Sequence, residues 1–130
     1  MTIRGGCLCG GIRYEIDGSL GETDHCHCSM CRRAHGAAFG TYADVESSRF
    51  RWTSGEDLLS VYESSPGIGW CFCRGCGSSL AASDHGAVTS VTLGTVDGDP
   101  GVRAAKHIFV DSKAPWYEIS DALPQFSERS

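Results

Sequence analysis

The chain has 130 residues, 41% of them hydrophobic and 21% charged, and eleven basic against sixteen acidic side chains leave a formal charge of −5. This composition excludes a disordered tail, and the acidic balance argues against nucleic-acid binding, which needs a basic face. No run approaches the roughly 18 apolar residues of a membrane span, and residues 1–10 carry no leader-like apolar stretch, so one cytoplasmic domain over residues 1–130 with no membrane partner is expected.

Glycine and cysteine stand out. The 17 glycines suggest many tight turns. The eight cysteines, about 6% of the chain, fall short of the ~8–10% that marks short disulfide scaffolds. In a reducing compartment, clustered cysteines point to metal binding or chemistry.

The chain opens with Gly5-Gly6-Cys7-Leu8-Cys9-Gly10-Gly11. Glycines on both sides let the backbone curl closely round a shared centre. Ile12, Tyr14 and Ile16 then alternate with Arg13 and Glu15, the period of a half-buried strand. After a turn at Asp17-Gly18-Ser19 comes a stretch dense in reactive side chains, from His25 to His35. Ser29 is placed to cap a short helix running to His35, stopped by Gly36. Further strands are expected over residues 38–43, 49–53, 58–63, 69–73, 79–82, 88–96 and 106–110, with turn signals between them. Many short strands at close spacing predict an all-β sandwich, barrel or tent with one short helical turn near Cys31. Residues 112–126 read as an irregular segment whose aromatics, Trp116, Tyr117 and Phe126, dock back on the sheets.

Seven cysteines fall into three groups: Cys7-x-Cys9, Cys26-x-Cys28-x-x-Cys31 and Cys73-x-x-Cys76. Zinc takes thiolates at about 2.3 Å in tetrahedral directions. Two ligands one or two residues apart reach a single ion from one tight loop. The pairs Cys7, Cys9 and Cys73, Cys76 therefore predict a closed four-sulfur structural zinc, the staple a small glycine-rich domain needs. Two disulfides or free thiols are the rival reading.

The middle group, Cys26, Cys28 and Cys31, has no obvious fourth member. Three protein ligands and one open position make the arrangement of a catalytic zinc. Alternatively, His25, His27, His35 or Cys71 closes the site, or the thiols carry no metal. Cys71 itself reads as a buried inert thiol. His27, between two ligands, should point away from the metal. His35 is the better proton-handling candidate, and His107 reads as a satisfied, partly buried histidine. Arg32 and Arg33 either pair with a substrate carboxylate or offset the charge of the thiolate cluster.

Four segments then stand in order along nearly the whole chain: Gly6-Cys7-Leu8-Cys9-Gly10-Gly11; Cys26-His27-Cys28-Ser29-Met30-Cys31-Arg32-Arg33 with Gly36-Ala37; Phe72-Cys73-Arg74-Gly75-Cys76-Gly77-Ser78; and His107-Ile108-Phe109-Val110-Asp111-Ser112-Lys113 with Trp116 and Leu123-Pro124. Together they resemble the glutathione-dependent formaldehyde-activating (GFA) family, which includes the centromere protein V type proteins. The resemblance implies a β-tent of small antiparallel sheets around a structural zinc on Cys7, Cys9, Cys73 and Cys76. It implies a second, catalytic zinc on Cys26, Cys28 and Cys31. The implied activity is that of a carbon–sulfur lyase, joining glutathione and formaldehyde as S-(hydroxymethyl)glutathione. Zinc would hold the substrate thiol as thiolate or polarise the aldehyde. Arg32, Arg33 or Lys113 would receive glutathione's carboxylates. Cys71 departs from the family pattern, which has no regular ligand there. Two other classes remain open: a non-enzymatic zinc-bearing interaction module, and a redox sensor whose middle cysteines release zinc on oxidation.

Overall fold

A computed structural model describes residues 1–129 and is built from β-strands with one short helix. The alternating stretch after the first cysteine pair forms β2 (Arg13–Asp17). It lies between β1 (Thr2–Gly6) and β5 (Phe50–Ser54) in a three-stranded antiparallel sheet. Period two sends Tyr14 and Ile16 inward, where both are buried. Glu15 faces outward between Arg4 and Arg51, directly opposite it on the two neighbouring strands, and forms ion pairs with both.

The second sheet has seven strands. In chain order they are β3 (Thr23–Cys26), β4 (Gly40–Asp44), β6 (Leu59–Ser65), β7 (Ile68–Cys73), β8 (Ser79–Asp84), β9 (Ala87–Thr92) and β10 (His107–Ile108). Their spatial order is β10-β3-β4-β9-β8-β7-β6. All neighbours are antiparallel except β10, which runs parallel to β3. The inner face supplies Cys71, Ala81, Val91 and Ala43 to one core with Ile3, Tyr14 and Ile16 of the small sheet and Ile12 just before β2. Each large apolar side chain fully buried there contributes about 1.5–3 kcal/mol. Two sheets leaning on this shared core make the tent.

The outer face of the large sheet is less completely covered. There helix α1 (Ser29–His35) sits over a second cluster of Cys26, Cys31 and Ile108, flanked by Tyr42, Trp70 and Phe109. The helix ends where the sequence indicates, with Gly36 in the left-handed conformation. Its cap, however, is Cys28, whose sulfur accepts from the Cys31 amide at 3.3 Å, so Ser29 is already helical.

Three expectations shift. The strand expected over 88–96 stops at Thr92, where the chain turns through a 3-10 segment at Leu93–Thr95 and Tyr14 Oη meets Thr95 Oγ1 at 2.8 Å. The strand expected over 106–110 shortens to two residues. Of the tail aromatics, Tyr117 docks beside Phe39 and His27, whereas Trp116 remains 69% exposed.

One glycine places the first cysteine loop. Gly55 has φ +78°, and a Cβ there would lie 2.1 Å from the Gly11 carbonyl oxygen. Gly98 shares the left-handed conformation but faces open space. Gly98→Ala should therefore cost only the left-handed strain, about 1–2 kcal/mol. Gly55→Ala must also displace backbone and should cost about 3 kcal/mol or more. Urea unfolding midpoints of the two variants measure the difference.

Candidate metal centres

The four-cysteine group is assembled from two matching loops. Each follows a strand and ends on a glycine with positive φ: Cys7 to Gly10 after β1, and Cys73 to Gly77 after β7. In the first, the Gly10 amide returns to the Cys7 carbonyl at 3.0 Å and the Ile12 amide donates to Cys7 Sγ at 3.2 Å. In the second, the Gly77 amide donates to the Cys73 carbonyl at 2.7 Å. The Leu8 amide donates to Ser78 Oγ at 2.8 Å and ties the loops together. Leu58 packs against both.

The four sulfurs lie within 4.8 Å of one another, with Cys7–Cys9 at 3.5 Å and Cys9–Cys73 at 3.9 Å. Four bonds of about 2.3 Å in tetrahedral directions place sulfurs about 3.8 Å apart, so these residues fit zinc. Their electrostatics call for a cation. The Ser78 hydroxyl and amide hold Cys76 down to about 5. The Gly11 amide favours the Cys9 thiolate, but the Cys7 and Cys76 thiols beside it push it up to about 11. Four thiolates this close are stable together only around a positive charge.

The second group draws Cys26 from the end of β3, Cys28 from the helix cap and Cys31 from the first turn of α1, again within 4.8 Å. Hydrogen bonding from the Cys31 thiol, helped by the Cys28 amide, draws Cys26 down to about 6. Cys31 shifts upward, because the Cys26 thiolate and burial both oppose its charge. Among the described residues this group has three ligands. None of the candidates for a fourth reaches it. His25 Nδ1 is bonded to Thr41 Oγ1 at 2.7 Å, and His35 Nε2 to Tyr42 Oη at 2.5 Å. Cys71 is buried in the inner core beside Ser83, and burial pushes its thiol up.

His27 takes part in a buried chain instead. Asp121 accepts from His107 Nε2 at 3.0 Å, which leaves His107 Nδ1 to accept from His27 Nε2 at 2.8 Å. Both rings are essentially inaccessible, and burial followed by the neighbouring imidazoles brings His27 down to about 4, so it is neutral. The chain holds the residue between two cysteine ligands against the C-terminal segment. The sequence predicts a satisfied, partly buried His107 and a His27 turned from the metal in a local hydrogen-bonding or surface role; His27 is instead fully buried, with Nδ1 left without a partner among the described residues, and Asp121 lies outside every motif.

The three cysteines face a cavity of about 300 Å³. Tyr42, Trp70, Phe109, Asp24, Asp44 and Arg129 line it with them. The sequence reading named none of these six as site residues. Period two on β3, β4 and β7 would have aligned Asp24, Tyr42 and Trp70 with Cys26, given the strand order; nothing in the sequence pointed to Arg129. Burial raises both aspartates above the usual carboxylate range. Lys113 turns away to the Ala114 and Tyr117 carbonyls, and Arg32 Nε is buried without a partner. Arg33 lies in a neighbouring cavity.

Fold and thiol clusters together define a β-tent domain with two candidate metal centres. The family model for the glutathione-dependent formaldehyde-activating enzyme matches residues 2–112, and the chain belongs to that family. A crystal structure of a Rhodobacter sphaeroides protein, a structural-genomics target, is similar in fold, with a TM-score of 0.57 at 25% sequence identity over 75% of this chain and 91% of that one.

Elemental mass spectrometry on protein purified without chelator should find about two zinc ions per chain. Cys26→Ser and Cys73→Ser should each lose about one, and Cys73→Ser should also fold poorly. Cys71→Ser should keep both.

Proposed function

We propose that this protein is a zinc-dependent carbon–sulfur lyase of the GFA type, joining a small thiol such as glutathione to an aldehyde such as formaldehyde. One observation carries the reading: the three-cysteine group lacks a fourth protein ligand among the described residues and faces a cavity. Zinc held by Cys26, Cys28 and Cys31 would supply Lewis acidity and a cationic centre for a substrate thiolate. Cys7, Cys9, Cys73 and Cys76 would hold a structural ion.

The reaction is an addition. The thiol sulfur bonds to the aldehyde carbon, the carbon–oxygen π bond opens, and the thiol proton ends on the new hydroxyl. Atoms and electrons balance without a further reactant. Tyr42 is the residue to relay that proton: its phenol lines the cavity and hydrogen-bonds His35, and it would give its proton to the developing alkoxide and regain one from the thiol. Burial lowers His35 and raises Tyr42, so both are neutral near pH 7. Trp70, Ile108 and Phe109 give the cavity apolar walls beside the three cysteines.

The setting we infer is the reducing cytoplasm, since all eight cysteines are free thiols. No helix among the described residues is long and apolar enough to cross a membrane. With a formal charge of −5, nucleic acid is not among the proposed partners.

Exchange-resolved NMR of glutathione with formaldehyde should show the adduct forming faster with the protein than without. Tyr42→Phe should slow the catalysed rate about a hundredfold while leaving thiol binding intact. Cys28→Ser should abolish both. An adduct rate equal to the protein-free rate would overturn the proposal.

A further inference from the structure

The cavity at the three cysteines does not end there. A second cavity of about 630 Å³ adjoins it and shares Met30, Ser64 and Trp70 with it. One wall is the face of α1 that carries Met30, Arg33 and Ala34, which helical spacing places together. The other is the outer face of β6 and β7. Tyr62 lies directly across from Trp70 there, and Phe72 stands one step along. The trough runs from the sulfurs to β6, the edge strand of the sheet.

Its chemistry changes along its length. The inner chamber holds two carboxylates, Asp24 and Asp44, with the Arg129 guanidinium. The outer one is walled by three aromatic rings, and Arg33 is its one charged lining residue. Arg33 makes no hydrogen bond or ion pair among the described residues. Its guanidinium stands at an apolar groove with nothing to neutralise it. Met30 and Tyr62 are 56% and 65% exposed, so this apolar surface is open.

We propose that the outer trough is a specificity site for the tail of the thiol substrate: an aromatic or branched apolar body ending in a carboxylate. The inference rests on the thiol–aldehyde reading above and narrows its thiol. The sulfur sits at Cys26, Cys28 and Cys31, the apolar body lies past Met30 between Trp70 and Tyr62, and the carboxylate pairs with Arg33. Glutathione matches this gradient poorly. Its peptide groups would lose water against aromatic walls, and a carboxylate near the sulfur would face Asp24 and Asp44 with Arg129 alone to offset them.

Calorimetric titration of the purified protein with four thiols tests this: 4-(mercaptomethyl)phenylacetate, phenylmethanethiol, 2-mercaptoethanol and glutathione. The aromatic acid should bind at least about tenfold tighter than 2-mercaptoethanol or glutathione. Arg33→Met should weaken the aromatic acid about tenfold and leave phenylmethanethiol unchanged. Tyr62→Ala should weaken both aromatic thiols about fivefold and 2-mercaptoethanol not at all. Four thiols of equal affinity, insensitive to both substitutions, would overturn the specificity site and leave thiol binding at the cysteines standing. No binding by any thiol would overturn both. Sedimentation of a dimer that Tyr62→Asp dissociates would also overturn the inference, because a second copy would then fill the trough.

Discussion

Four sulfur atoms that repel one another as thiolates must meet at one point. Two come from the end of the first strand and two from a loop 64 residues and more further on. The amides that donate to them, the Ile12 amide at Cys7 Sγ among these, relieve part of their mutual repulsion, and a cation would relieve the rest. Much of the architecture serves that meeting. The glycines with positive φ end the two loops, Leu58 wedges between them, and Gly55 admits the Gly11 carbonyl at a distance no other residue allows. The small sheet is thereby pinned to the large one at one end of the shared core.

The second thiol group obeys the same electrostatics with a different outcome. It lies on the opposite face of the large sheet and is built from six consecutive residues, so it needs no distant partner loop. Its rigidity comes from around it. Cys28 is at once a cluster member and the cap of the helix carrying Cys31. His27 between them is anchored through His107 to Asp121. The ligand loop is thus held from both ends, by helix and by tail, while its open side faces the cavity. The two groups thus sit on opposite faces of a single sheet, one with four cysteines between the sheets and one with three beside a cavity.

Much of this was legible in the residues. Cysteine spacing announced both groups, because ligand geometry acts locally and leaves a local trace. The alternation of Ile12, Tyr14 and Ile16 announced β2. What escaped notice depended on strand order. β1, with four glycines or polar residues among five, and β3, Thr23–Cys26, carry no clean alternation and are strands because the sheets pair them. The two-residue β10 is parallel, a pairing that short-range pattern does not announce. The residues lining the cavity come together across β3, β4 and β7, which are adjacent only in part. Asp24, Tyr42 and Trp70 therefore looked like ordinary strand positions. Trp116, an aromatic in a motif, looked like a core residue and is exposed.

The span between Cys9 and Cys73 has a consequence for biosynthesis. A chain emerging from the ribosome displays the local cysteine triplet early, complete within residues 26–31. The four-sulfur site stays half-built until residue 76 has been made. Contacts of such sequence separation are slow to close, since the intervening loop must first lose its freedom. Any metal the two groups take up would thus meet a complete triplet first. The group that fastens the sheets is at that point still waiting for its second half.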